Sequence, residues 1–132
     1  MKRLFPSLLL FLAFLIASCT AKEIDLSMVT VVYDGSDHPL VAQMAQTLAD
    51  DIERVSGVRP KVTQDQPDGP VVVLGTVGKS SLLDDADAIA GKWETYRIKT
   101  SRDKIEVTGS DPRGLAYGVF HISEAIGVSP WY

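Results

Sequence analysis

Seventeen of the 132 residues are Asp or Glu, so carboxylate chemistry is the first possibility to weigh. Glycosidic hydrolysis needs two carboxyl groups facing each other across a cleft, about 5–5.5 Å apart for retention and about 6.5–9.5 Å for inversion. Asp50, Asp51 and Glu53 fall on the expected outward side of an amphipathic stretch, and Asp84, Asp85 and Asp87 cluster in a loop or helix start. Neither group sits in an apolar surround that would raise a carboxyl pKa, so both read as solvated charge. His38 and His121 are the only histidines, they belong to different elements, and neither shows the close spacing of metal ligands. No catalytic residue, metal or cofactor is expected from these residues.

Gly75 to Ser80 (GTVGKS) follows a strand and invites a phosphate-loop reading. That loop needs a glycine five positions before its Gly-Lys-Ser, so that backbone N–H groups can wrap the phosphates. The position is Val73, inside the strand, so the segment reads as a Gly-rich turn leading into a helix. Arg113, Tyr117, His121 and Glu124 recur at helical spacing and make a polar stripe. The stripe is either a solvated face with local i,i+4 support or a surface that docks another domain, with Tyr117 as an amphipathic anchor.

The elements that would position these groups alternate between strand and helix. Met28 to Tyr33 reads as a buried strand. Asp37 or His38 caps a helix opened by Pro39, whose apolar stripe is Val41, Met44, Ala45, Leu48, Ile52 and Val55, closed by Gly57. Lys61 to Thr63 and Val71 to Leu74 are strands, Ser80 or Ser81 starts a short helix running to Ala90, and Tyr96 to Thr100 with Lys104 to Thr108 form a hairpin. Ser110 or Asp111 caps the last helix, Pro112 begins it, and Leu115, Val119, Ile122 and Ile126, with Ala116 and Phe120 beside them, form its core stripe. The expected fold is an α/β sandwich: one mixed sheet of about five strands carrying two main helices. The first helix permits a parallel crossover, whereas the later strands are joined by turns too short for one.

The N-terminus carries a different signal. Met1-Lys2-Arg3 is positively charged and Leu8 to Ala17 is an apolar run of ten, too short to span a bilayer, which needs about 20 residues. It reads as a secretory signal peptide over residues 1–18. Ile16-Ala17-Ser18-Cys19 resembles the lipobox of bacterial lipoprotein precursors, which implies lipidation of Cys19, a tether over residues 19–27, and membrane contact through that anchor alone. Export to the outer membrane or cell surface follows, or otherwise to the periplasm or medium. Cys19 is the sole cysteine, so no internal disulfide forms. Losing Lys2 and Arg3 from 13 basic residues leaves 11 against 17 acidic ones, a net charge of −6. The remaining basic residues form no run, which argues against a nucleic-acid partner.

Four segments in order carry a family resemblance: Leu48 to Gly57, Val72 to Ser80, Gly91 to Glu94, and Gly109 to Gly118 continuing through Ile126 to Tyr132. From about Met28 to Tyr132 the chain resembles the N-terminal domain of glycoside hydrolase family 115, the xylan α-1,2-glucuronidases, within the hexosaminidase domain-2-like superfamily. The resemblance implies a non-catalytic accessory domain at residues 28–132 whose partner is a catalytic (β/α)8 barrel acting on glucuronoxylan. It also implies a barrel-facing or substrate-facing edge containing Asp111, Arg113, Trp131 and Tyr132. Trp93 is expected in the core or at that junction. The chain is accordingly expected to be one part of a longer or severed enzyme; the alternative is a surface lipoprotein acting alone, binding carbohydrate or a protein through its aromatic residues.

Overall fold

The computed structural model describes residues 23–129. The expected signal peptide, Cys19, Trp131 and Tyr132 lie outside the described residues. No helix among the described residues is long and apolar enough to cross a membrane.

The strands are β1 (Thr30–Tyr33), β2 (Lys61–Thr63), β3 (Val71–Thr76), β4 (Tyr96–Thr100) and β5 (Lys104–Gly109), and the helices are α1 (Pro39–Ser56) and α2 (Pro112–Ala125). The sheet order is β2-β1-β3-β5-β4. β1 runs parallel to both β2 and β3, β3 runs parallel to β5, and only the β4–β5 hairpin is antiparallel. The sheet is therefore mixed, as expected, but more parallel than turn length alone suggests. β2 is three residues long, so the short polar segment after it can return the chain to the start of β3 without a helix.

Both helices share one face of the sheet. Val31 of β1, Val72 and Leu74 of β3 and Val107 of β5 project into a core with Val41, Ala45, Leu48 and Ile52 of α1 and Leu115, Val119 and Ile122 of α2. The apolar stripes read from the sequence are what pins the helices there, since each fully buried aliphatic side chain contributes about 1.5–3 kcal/mol. Ile24 and Leu26, in the stretch expected to act as a tether, are partly buried against this core.

Helix ends follow local chemistry. His38 caps α1 by accepting from Leu40 N–H at 3.1 Å, and Gly57 ends it at φ 77°, a left-handed conformation that glycine adopts without a Cβ penalty. The periphery departs from expectation. Val55 is 44% exposed and does not belong to its helix's core stripe, and Phe120, expected beside the stripe of α2, is 50% exposed. Asp51, expected on the outward side of α1, is buried on the flank where α2 packs.

The expected helix from Ser80 to Ala90 does not form; only a short 3₁₀ turn, Ala86–Ile89, is present. Its backbone groups are taken by distant side chains. Ser81 N–H donates to Asp34 at 2.9 Å, Asp84 N–H donates to Glu106 at 3.1 Å, and the carbonyls of Asp84 and Asp85 accept from Arg97.

That captured segment reaches the second face of the sheet, where Val32, Val73, Glu106 and Thr108 are buried. Glu106 accepts from Lys104 Nζ at 2.8 Å, and Arg97 lies 3.9 Å away. Lys104 also holds Asp84 at 2.8 Å, and Arg97 approaches Asp85 at 3.7 Å. Burial alone would push the Lys104 ammonium down, but its hydrogen bonds to Asp84 and Glu106 outweigh this and raise it. Asp84 and Asp85 are thus exposed yet paired, and not simply the solvated charge the sequence suggested.

Candidate functional site

The start of α2 gathers the candidate polar residues. Asp111 caps the helix, accepting from Gly114 N–H at 2.7 Å, and its other oxygen accepts from Glu94 N–H at 2.8 Å. The Gly114 N–H in particular, with those of Glu94 and Arg113, holds the Asp111 carboxyl below its usual range. Ser110 exchanges hydrogen bonds with Thr95, its Oγ accepting from Thr95 N–H at 2.9 Å and its own N–H donating to Thr95 O at 2.8 Å. A Cβ at Gly114 would meet Thr95 O at 2.3 Å, so only glycine lets the strand-entry segment lie this close to the helix.

Arg113 pairs with Glu94 at 2.7 Å. A hydrogen bond with Tyr117, followed by the Glu94 charge, raises its pKa. The structure therefore brings Asp111 and Arg113 together, but spends both on fastening residues 94–95 to α2. Trp93 immediately precedes this clasp and is 80% exposed, which removes the core from its two expected places and leaves the junction. Glu94 itself adopts φ 47°, a left-handed conformation that costs a non-glycine residue energy.

Further along α2, the predicted polar stripe faces outward and joins β4. Tyr96 Oη and His121 Nδ1 are 2.7 Å apart, and their rings meet edge-on at 5.8 Å. Tyr117, 43% exposed, and Phe120 add aromatic surface. Together with Thr47 and Asp51 of α1, and with Ser123, Glu124, Val128 and Ser129, these residues line a groove of about 690 Å³ whose surface is mainly apolar.

This surface combines exposed aromatic rings with a mainly apolar groove. Asp111 caps α2, Glu94 and Asp51 are ion-paired, and the described residues contain no group of three or more His, Cys, Asp or Glu that could hold a metal. Gly75 and Thr76 of the glycine-rich motif belong to β3, and a Cβ at Gly75 would meet the Ser80 side chain at 2.5 Å, so the motif is a folded-back turn. Sequence reasoning missed Glu94, Asp51 and Ser123, whose surroundings are set by residues from other elements.

The sequence model described as glycosyl hydrolase family 20, domain 2 matches residues 18–123. A solved structure of a family GH115 4-O-methyl-α-glucuronidase with specificity for decorated arabinogalactans is similar over 79% of this chain, at 30% identity and a TM-score of 0.67. A GH138 enzyme targeting pectin rhamnogalacturonan II is similar over 76% of the chain, at 22% identity and a TM-score of 0.55. The protein CpGH84D shares the fold over 77% of the chain, at 11% identity and a TM-score of 0.54. The chain spans only 14%, 10% and 18% of these three structures. No curated protein matches the sequence. A glycosidase-associated α/β domain of hexosaminidase domain-2-like fold accounts for the core, the clasp at α2 and these similarities, and the chain belongs to the glycosyl hydrolase family 20 domain 2 family.

Proposed function

We propose that this chain is the non-catalytic N-terminal accessory domain of an exported glycoside hydrolase that removes 4-O-methyl-glucuronic acid from a decorated plant polysaccharide such as glucuronoxylan. Its role is to dock and support a catalytic (β/α)8 barrel through the surface made by Trp93, Arg113 and Tyr117. The observation that carries this reading is the asymmetric coverage: 79% of this chain corresponds to 14% of a 4-O-methyl-α-glucuronidase. Trp93 and Tyr117 are exposed aromatic rings, and such rings together with Arg side chains supply most of the binding energy once buried in a domain interface. Export by the residue 1–18 signal, with a lipid on Cys19, belongs to the same proposal.

The test has two parts. The purified chain alone is expected to release no glucuronic acid from decorated xylan or arabinogalactan, and release would overturn the accessory role. A separately produced family GH115 barrel is expected to bind the chain, with Tyr117→Ala weakening the complex.

Trp93 favours a second reading. A ring left 80% exposed can stack on a sugar, which suits a carbohydrate-binding surface lipoprotein. Saturable binding of xylo-oligosaccharides, lost in Trp93→Ala and achieved without any barrel, would favour it.

A further inference from the structure

The two edges of the sheet are not alike. β2, at one edge, is only three residues long. β4, at the other, runs for five residues without a proline and, among the described residues, pairs with β5 alone. Such an edge leaves a row of backbone groups that another chain can pair with. The hairpin's hydrogen bonds identify them. Ser101 N–H donates to Lys104 O and Ser110 N–H donates to Thr95 O, both at 2.8 Å. Antiparallel ladders alternate, so Arg97 and Lys99 share that inward phase. The N–H and C=O groups of Tyr96, Ile98 and Thr100 therefore point away from β5.

The side chains beside this row differ between the two faces. Ile98 and Thr100 lie on the face that carries the helices, where with Ile24, Ile105 and Ile122 they border a mainly apolar pocket of about 480 Å³. On the opposite face Lys99 is exposed, and Glu106, its register partner on β5, is already held by Lys104 at 2.8 Å. The edge thus offers an apolar seat on one face and a cation on the other.

A second copy of this chain fits that edge badly. Antiparallel pairing of β4 with itself puts Arg97 opposite Lys99 when Ile98 faces its own copy. A shift in either direction puts Lys99 opposite Lys99 or Arg97 opposite Arg97. Like charges directly opposite are destabilising. A complementary strand instead carries an acidic residue between two apolar ones. β5 has that pattern on the occupied side, where Ile105, Glu106 and Val107 face Thr100, Lys99 and Ile98.

We propose that the free edge of β4 binds an extended segment of another protein, added antiparallel as a sixth strand, with an apolar–acidic–apolar pattern. Its acidic residue faces Lys99, with Cβ atoms about 4.5–5.5 Å apart, and its apolar residues face Ile98 and Thr100 at the mouth of the pocket. Trp93, Arg113 and Tyr117 take no part in this site, so the inference goes beyond the accessory reading and does not rest on it.

The probe is a blocked peptide with the β5 pattern, acetyl-Thr-Ile-Glu-Val-Thr-amide, titrated into the isotopically labelled chain and followed by amide exchange. Binding is expected to saturate. Exchange at the Ile98 and Thr100 N–H groups should slow several-fold, while Lys99 N–H, already donated to β5, stays unchanged. Replacing the peptide's glutamate by lysine should weaken binding at least tenfold, and Lys99→Glu, at an exposed position, should reverse that preference. Methylating the backbone nitrogens of the peptide's Ile and Val, which face β4, should abolish binding. An absence of saturable binding, or equal affinity for the glutamate and lysine peptides, would overturn the proposal. So would slowed exchange at Ile98 that appears without peptide as protein concentration rises, because a second copy would then occupy the edge. Slowed exchange confined to the surroundings of Tyr117 would also overturn it, placing the peptide on the surface proposed for the barrel.

Discussion

The inward and outward faces of α2 obey different rules. Inward, Leu115 and Val119 are fully buried and Ile122 nearly so, and Gly118 lies so close to Val107 that a Cβ there would meet its side chain at 2.7 Å. Outward, Tyr117 and Phe120 expose roughly half of their surface, and Arg113 and His121 are held by Glu94 and Tyr96 rather than by the core. The inner stripe determines that the helix exists and where it lies. The outer stripe is exposed and is engaged locally by Glu94 and Tyr96, and it is the face that the proposed docking would use. A functional reading of this protein therefore rests on the face that stability does not require.

The sharpest way to break that contrast is at the inner stripe. Leu115→Ala should destabilise the domain by about 2–5 kcal/mol, read as a lowered midpoint in urea unfolding. Tyr117→Ala should do the reverse: stability within about 0.5 kcal/mol of wild type, but barrel binding weakened by about 2 kcal/mol if Tyr117 is an interface anchor. Equal losses of stability in the two variants would abolish the distinction.

Asp111 lies between these extremes. Asp111→Ala should cost about 1 kcal/mol through the lost helix cap, with the loosened Glu94–Thr95 segment visible as faster amide exchange there. Asp111→Asn should recover part of the loss, because an amide oxygen still accepts a hydrogen bond.

The smallest effect concerns acid. Hydrogen bonds from the Ser36 hydroxyl first, and then from the Ser81 and Ser36 backbone N–H groups, hold the Asp34 carboxyl well below the usual carboxylate range. Its folded pKa is depressed, so its contribution is complete above the unfolded value of about 3.9 and disappears as pH falls through the folded value. The capping carboxyl of Asp111 has the same sign. Asp34→Asn should therefore flatten the fall in stability below about pH 4 while leaving its slope near neutrality unchanged. Thermal unfolding measured across that interval checks it.

The parts of the fold legible in the sequence are those fixed by local periodicity and caps. The Val41–Ile52 and Leu115–Ile122 stripes, Pro39 and Pro112 at helix starts, Gly57 at a helix end, and the β4–β5 hairpin all combine short-range signals that agree with one another. The segment from Ser80 to Ala90 was misread because its conformation is set by Asp34, Arg97 and Glu106, which are distant in sequence and leave no local trace. Glu106 shows the same difficulty: a charged residue in a strand reads as solvent-facing, yet Lys104 and Arg97 allow it to be buried.

The site was partly legible for a related reason. The stripe of Arg113, Tyr117, His121 and Glu124 follows from helical spacing, and the structure places it outward. The partners Glu94 and Tyr96 come from another element, so no spacing rule could supply them. Asp111 and Arg113, expected at a barrel-facing or substrate-facing edge, stand together at the start of α2, where Asp111 accepts from the Glu94 and Gly114 N–H groups and Arg113 pairs with Glu94.

Calorimetric titration of the 132-residue chain into a separately produced family GH115 catalytic barrel tests the accessory role most directly. The account predicts saturable one-to-one binding that Tyr117→Ala weakens by at least tenfold while the variant remains folded. An absence of binding, or an affinity unchanged in the folded Tyr117→Ala variant, would contradict the claim that the outward face of α2 is the docking surface.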